Sequence, residues 1–297
     1  MNILIIGCGY VGQKLAQQWV QYGEVIALSH RKQSQSQLQA LGIQVLVGDL
    51  DVPASLAAAL SGIDLSRFVL AYFAPPPRQG QTDPRMAHFL QALQQQSTLP
   101  SQILLISTTG TYGDCQGDWI DETQPLNPRV DRARRRVDAE QQLQQWSQQQ
   151  QVPVSIFRVP GIYGPARLPI KRLQQGLPVL DESIAPYSNR IHVDDLVSAC
   201  VAVLLQATKQ SEIYNICDGT PTTMTDYFNQ VADAVGLSRP PSISAELAKT
   251  QLSPEMLGYL AESKRIVNHK MCTQLGIQLQ YPNLKAGLAA CIANTEL

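Results

Sequence analysis

The 297-residue chain lacks several things whose absence is informative. It has no excess of charge of either sign: 23 basic against 24 acidic groups leave a net −1. Non-specific nucleic-acid binding needs a basic surplus to displace counterions, so no nucleic-acid partner is expected. No run of about 18 apolar residues occurs, so neither a transmembrane helix nor a membrane partner is expected. Met1-Asn2 carries no basic flank, and the apolar run behind it leads into a glycine turn, so no signal peptide is expected. The 6 cysteines (Cys8, Cys115, Cys200, Cys217, Cys272, Cys291) form no CxxC pair. That pattern points to reduced thiols, buried as small apolar groups, and to a cytoplasmic location. A GxSxG elbow is absent, which speaks against a serine hydrolase. His30, His88 and His269 stand at no ligand spacing from a cysteine or carboxylate, so no metal site is expected.

What is present is the composition of a folded chain, with 44% apolar and 16% charged residues. Continuous apolar runs at Ile3–Ile6, Val25–Leu28, Val45–Val47, Phe68–Phe73, Ile103–Ile106, Val154–Phe157 and Ile213–Ile216 read as strands covered on both faces. Between them, helices are expected near Pro53–Leu60, Pro84–Gln96, Pro128–Gln149 and Val193–Gln206. Val11, Leu15 and Trp19 mark one more at helical spacing. This alternation predicts an α/β class, with a doubly wound parallel sheet. Residues 1–164 and 189–218 are expected to form the sheet domain. Residues 165–188 and 219–297 are expected to form a smaller, mostly helical lobe, with helices over Thr223–Val235 and Ser263–Leu275 and a loop-rich insert over 165–189.

Gly7-Cys8-Gly9-Tyr10-Val11-Gly12 is a GxGxxG that follows a strand and opens a helix, the context a dinucleotide pyrophosphate requires. Gly7 serves the tight turn, Gly9 lets the backbone approach the phosphates, and Gly12 allows close helix–strand packing. The amides of Tyr10 and Val11 stand at the positive end of that helix. After the second strand comes Ser29-His30-Arg31-Lys32, with no carboxylate to bond a ribose 2′-hydroxyl and with cations suited to a 2′-phosphate. NADP is therefore the preferred cofactor and NAD the second choice; the plain alternative is that Arg31 and Lys32 are surface charges. Asp49, followed by Leu50, either accepts from an adenine amino group or forms a turn.

Further blocks follow the later strands: Ser107-Thr108-Thr109-Gly110-Thr111-Tyr112-Gly113, Arg158-Val159-Pro160-Gly161-Ile162-Tyr163-Gly164, Arg190-Ile191-His192-Val193-Asp194-Asp195-Leu196 and Tyr214-Asn215-Ile216. With the glycine fingerprint, this series resembles the extended short-chain dehydrogenase/reductase family of the NAD-dependent epimerase/dehydratase type over residues 1 to about 218. The tail, with Ser263-Lys264-Arg265 and Tyr281-Pro282, is similar to an atypical branch of it. The resemblance implies a Rossmann sheet of about seven strands. It implies that Thr108 bonds the reacting hydroxyl or carbonyl and that Tyr112 stands beside the site. Ser107, Ala74, Pro75 and Pro160 would lie along the cofactor. His192, Asp194 and Asp195 would form a structural block tying the lobes together. Family members often pair through helices beside the sheet, so a homodimer is left open.

The chain departs from the family at one place. The resemblance implies a catalytic Tyr and a Lys four residues apart on the helix after Pro128. Aligning Glu140 with the family's downstream Glu puts Arg132 and Arg136 there instead, with Arg132 at the family's 24-residue distance from Thr108. An arginine does not shuttle protons near neutral pH. Two readings stay open: a solvated helix face held by the i,i+4 pairs Asp131–Arg135, Arg134–Asp138 and Arg136–Glu140, or an anion contact through Arg132 or Arg136. The expected function is an NAD(P)-binding, epimerase/dehydratase-like oxidoreductase acting on a small polar metabolite. In that reading Tyr112, Tyr163 or water moves the proton. The alternative is a non-catalytic dinucleotide sensor on the same fold. The substrate itself is not readable from the sequence.

Overall fold

The computed structural model describes residues 1–30, 32–206 and 210–293. The chain divides into two compact units, one of residues 1–111, 128–158 and 197–214, the other of residues 112–127, 159–196 and 215–297. In chain order the elements run β1 (Asn2–Ile6), α1 (Tyr10–Trp19), β2 (Val25–Ser29), α2 (Lys32–Ala40), β3 (Gln44–Val47), α3 (Pro53–Leu60), β4 (Phe68–Tyr72), α4 (Pro84–Gln94) and β5 (Ile103–Thr108). There follow β6 (Trp119–Ile120), α5 (Asp131–Gln150), β7 (Val154–Val159), β8 (Gly161–Tyr163), α6 (Ile170–Gln174), β9 (Val179–Leu180), β10 (Tyr187–Ser188), β11 (Arg190–His192), α7 (Val193–Leu205) and β12 (Glu212–Asn215). The last are β13 (Thr222–Thr223), α8 (Met224–Ala234), β14 (Ser242–Ile243), α9 (Ala245–Gln251), α10 (Pro254–Leu260), β15 (Arg265–Ile266), α11 (His269–Gln274) and α12 (Leu284–Ala293).

The first unit is built on a seven-stranded sheet in the order β12-β7-β5-β4-β1-β2-β3. β1 pairs in parallel with β2 through Ile3↔Val25 and with β4 through Ile3↔Val69. The strand order therefore turns around between β1 and β4, and in such a sheet ligands bind beyond the carboxyl ends at that point. The physical cause is the apolar run: Ile3, Leu4, Ile5 and Ile6 are all buried, and only a strand covered on both faces buries four residues in succession. α1 buries Gly12, Leu15, Ala16 and Trp19, the one-sided spacing expected of a helix lying on a sheet. Asp83 starts α4 by accepting from the amides of Arg85 and Met86, with Pro84 in the first turn.

A buried ion-pair network joins three elements of this unit. Arg158 on β7 grips Glu140 on α5 through Nη2 at 2.8 Å and Nε at 3.2 Å. Ser107 on β5 donates its hydroxyl to the same carboxylate. All three side chains are buried.

The second unit holds four short strand pairs, β10–β13, β8–β11, β9–β14 and β6–β15. One core packs Tyr163, Tyr227, Phe228 and Val231 with Leu284, Leu288 and Cys291 of α12. Gly287 is obligatory there, because an added Cβ would lie 2.0 Å from the Tyr163 hydroxyl. The expected helix over Ser263–Leu275 is corrected: Arg265–Ile266 pairs in parallel with Trp119–Ile120, and only His269–Gln274 is helical. Ser263 is fixed instead by accepting from the amides of Cys115 and Gly117. The insert over 165–189 contains a short helix, α6, and β9 and β10. None of the described helices is long and apolar enough to cross a membrane.

Two outcomes follow from the buried charges. Glu140→Ala leaves the Arg158 guanidinium buried without its carboxylate, and denaturant unfolding should register a loss of about 3–5 kcal/mol. An unchanged midpoint would show the network to be dispensable. Asp218 of the second unit is 5% exposed, takes the Thr220 amide at 2.9 Å on Oδ1, and has no hydrogen-bond partner for Oδ2 among the described residues. Burial pushes its carboxyl up to about 6. A raised carboxyl contributes stability below its unfolded value of about 3.9 and loses it as pH climbs through the folded value. Relative to Asp218→Asn, the wild type should therefore weaken by about 2–3 kcal/mol between pH 4 and pH 7. Urea titrations of both proteins at the two pH values test this; a pH-independent difference contradicts it.

Candidate functional site

The turn after β1 is set by steric exclusion. Gly7 has φ +89°, and a Cβ there would stand 2.5 Å from the amide nitrogen of Ala74, just beyond β4. Only glycine permits both the conformation and the approach. Gly9 donates to the Gly7 carbonyl at 2.8 Å, and its own carbonyl accepts from Gln13 at 2.8 Å. A Cβ on Gly12 would meet the Gly7 carbonyl at 3.2 Å and Ile5 Cγ2 at 3.4 Å, so the helix sits tight on the strand. A Cβ on Gly9 would meet nothing within 4 Å. Two glycines are thus filled by the protein and the third faces open space. Tyr10 and Val11, both half-buried, open α1, whose first turn has no acidic residue and no side-chain cap. The helix dipole and amides there suit an anion.

On the side of β2 and β3, the half-buried Ser29 accepts the Gly48 amide at 3.4 Å on its carbonyl. Arg31 lies outside the described residues. Asp49 forms a turn: Oδ1 accepts from the Asp51 amide at 2.9 Å, and its own amide donates to Ser55 Oγ at 2.8 Å. The Leu50 carbonyl lies 2.8 Å from His88 Nδ1. Sequence reasoning missed Arg85, which forks onto both oxygens of Asp51 at 2.7 and 2.6 Å and donates to the Pro75 carbonyl at 3.0 Å. This fixes the loops after β3 and β4 to each other, and the Arg85 hydrogen bond holds the Asp51 carboxyl below the usual carboxylate range. No signal in the sequence links the two residues, which lie 34 positions apart, one in a turn and the other on α4.

At the end of β5, Thr108 is half-buried. Its Oγ1 accepts from the Gly110 amide at 3.2 Å, which leaves the hydroxyl proton to give. A Cβ on Gly110 would lie 3.6 Å from Thr108 Oγ1 and 3.7 Å from Ala133 Cβ, so the turn after Thr108 lies against the first turn of α5. Ser107, by contrast, turns into the buried Glu140 network.

The expected i,i+4 pairs of α5 do not form. Asp131 instead pairs with Arg134 at 2.7 Å. Asp138 accepts from the Asp83 amide at 2.6 Å and from Gln142. Glu140 is taken by Arg158 and Ser107. Arg135 is buried and donates to the Gly80 carbonyl. Arg136 and Arg132 are half-buried, and Arg136 Nη1 donates to the Ala74 carbonyl at 3.3 Å. Long-range partners outcompete local ones because α5 packs against β5 and α4 rather than standing free in water. Burial pulls the Arg136 guanidinium down from its usual range.

The two tyrosines expected near the chemistry belong to cores of the second unit. Tyr112 is fully buried and donates to Asn215 Oδ1 at 2.8 Å, in a cluster with Ile120, Cys217 and Ile266. Tyr163 is 1% exposed, donates to the Asn283 carbonyl at 3.4 Å, and is pushed well up by burial. Neither hydroxyl reaches an open surface, which corrects their expected role as proton carriers. Pro160, half-buried, leads from β7 into β8. His192 is buried, with its ring 5.2 Å from Tyr163 and 4.0 Å from Tyr281. Asp195 accepts from the amides of Gln280 at 2.8 Å and Tyr281 at 3.0 Å. The block around 190–196 thus anchors the C-terminal segment, a role its sequence position does not reveal.

Comparison with known proteins agrees with this geometry. The chain is similar to Protein YeeZ of Escherichia coli (strain K12), at 28% identity over 95% of this chain and 97% of that one. A functionally unknown conserved protein from Silicibacter pomeroyi DSS has a similar structure, with a TM-score of 0.82 at 30% identity over 100% of this chain and 99% of the other. The UDP-glucose 4-epimerase of Thermus thermophilus, solved in complex with NAD, gives 0.79 at 20% identity over 99% of this chain and 98% of its own. The model of the NAD dependent epimerase/dehydratase family matches residues 3–217, and the chain, with its glycine turn, its parallel sheet and its open cradle at Gly9, belongs to that family.

Proposed function

We propose that this chain binds a nicotinamide dinucleotide with its pyrophosphate against the Gly7–Gly12 turn and carries out oxidoreductase chemistry of the epimerase/dehydratase type on a small polar metabolite. The observation that carries the reading is the contrast among the glycines. Gly7 and Gly12 are packed by protein, while Gly9, at the uncapped start of α1, leaves a space that any side chain would fill. A phosphate fits that space, receiving hydrogen bonds from the amides of the first turn. Ser29, Asp49, Leu50, Ala74 and Pro75 would line the dinucleotide, with the Arg85–Asp51 fork holding the loop at Pro75 in place.

When bound, the nicotinamide supplies hydride transfer. The chain's own part is to orient the reacting oxygen and to handle its proton. Thr108 donates its uncommitted hydroxyl proton to that oxygen as a hydrogen bond, its acceptor side being satisfied by Gly110. The burial of Tyr112 and Tyr163 supports assigning proton exchange to water at Thr108, and the positive α5 residues Arg132 and Arg136 favour negative charge developing beside it. The NADP preference rests on the neutral Ser29 and on the basic residues that follow it in sequence. A nucleotide-sugar-like substrate is suggested by the likeness to the Thermus UDP-glucose 4-epimerase.

Calorimetry with NADPH and NADH should show binding of both, tighter for NADPH. Gly9→Trp should abolish both without lowering the melting temperature; unaltered binding would remove the phosphates from this turn. On a panel of nucleotide sugars and small carbonyl compounds, Thr108→Val should reduce kcat/KM by about tenfold or more. Full activity in that variant would take Thr108 out of the reaction.

A further inference from the structure

The last helix is apolar on almost every side. α12 reads Leu-Lys-Ala-Gly-Leu-Ala-Ala-Cys-Ile-Ala, and Lys285 is its one charged residue. A helix that is hydrophobic all round is normally enclosed. Here one face is: Leu284, Gly287, Leu288 and Cys291 are buried, in a core with Tyr163 and Phe228. On the remaining surface Ala289 is exposed and Ile292 half-buried. That surface borders a cleft of about 880 Å³, a size typical of small-molecule sites. Leu288, Ala289 and Ile292 line it, with Pro221 and with Ala234 of α8. The cleft lies wholly within the second unit, whereas the glycine turn belongs to the first.

The polar groups of the cleft are unequally committed. Asp233, the one acid among the described residues that line it, is neutralised by Arg239 at 2.6 and 2.9 Å. Gln230 spends its amide on Asp226 at 2.6 Å. The start of α12 is different. Asn283 caps the helix by accepting the Ala286 amide at 3.0 Å on its side-chain oxygen, and its side-chain nitrogen has no partner among the described residues. Lys285 is exposed, lines the cleft, and carries no ion pair among the described residues. A cation in the first turn adds to the positive pole of a helix instead of offsetting it, so an anion placed there answers both charges. From Asn283 to Ile292 the helix rises about 13 Å, which makes the apolar wall long and narrow.

We propose that the cleft beside α12 is a second ligand site, for an elongated monocarboxylate whose acid group meets Asn283 and Lys285 and whose hydrocarbon chain lies along Leu288, Ala289 and Ile292. The charge of the lining selects the head group, since its acid is already paired and its lysine is not. The apolar wall selects the tail, because burying a chain there removes hydrocarbon on both sides from water. The inference is independent of the dinucleotide reading.

Calorimetry of the full chain with decanoate, decylamine and acetate tests this. Decanoate should bind at a single saturable site. Decylamine, with the opposite head charge, and acetate, with no chain, should each bind at least about tenfold more weakly. Lys285→Gln should weaken decanoate about tenfold, and Ala289→Trp, which sets an indole in the cleft, should abolish its binding. Both side chains are exposed, so the melting temperature should hold in each variant. Should Ala289→Trp lower it, the Lys285→Gln comparison decides alone. No saturable binding of decanoate overturns the proposal, as does decanoate bound equally by the wild type and Lys285→Gln, or decylamine bound as tightly as decanoate. Sedimentation velocity supplies the remaining outcome: a wild-type dimer that Ala289→Trp splits gives this face to a second copy of the chain and overturns the ligand site.

Discussion

The close approach of Gly7 to Ala74 is the contact on which the first unit's site depends. With 2.5 Å between a hypothetical Cβ and the Ala74 amide, no other residue lets β1 turn where it does. That turn directs the start of α1 toward open space and brings the end of β4 against it. Because β1 and β4 are neighbours at the point where the strand order reverses, the contact also marks where a ligand has room beyond the strand ends. Gly12 then fixes how closely α1 lies on β1. The open side of Gly9 is what remains once the other two glycines are packed.

Polar groups around this frame are used in two distinct ways. Ser107, Glu140 and Arg158 saturate one another in the interior and hold β5, α5 and β7 in register. Such a network is costly to break because each member is desolvated. The Tyr72 hydroxyl, Asp83 Oδ2 and Arg135 Nε are also withdrawn from water, but have no hydrogen-bond partner among the described residues.

The second unit shows how a residue type can mislead. Tyr112 and Tyr163 stand in blocks that resemble site loops, yet both are core side chains with their hydroxyls engaged. A tyrosine carries a large apolar ring as well as a hydroxyl, and burial of the ring with one hydrogen bond is a sufficient reason for its presence. His192 and Asp195 are likewise absorbed in holding residues 280–291, through stacking and two backbone amides.

Continuous apolar runs, the glycine spacing and the capping signals are local, and they suffice for the strands of the sheet, most helices flanking it, and the roles of Gly7 and Gly12. Local pattern fails where partners are distant. The Arg85–Asp51 fork, the displacement of the expected α5 ion pairs, and the pairing of Arg265–Ile266 with Trp119–Ile120 join segments far apart in the chain. Hydrogen bonds and charge pairs form with whatever group folding brings within about 3 Å, and residue order carries no record of that distance. The scaffold and the glycine cradle were legible in the residue order, because sterics and hydrophobic periodicity act between near neighbours. Which charges pair and which tyrosines become core was settled only on folding, because those outcomes depend on burial and on partners that the folded chain alone supplies.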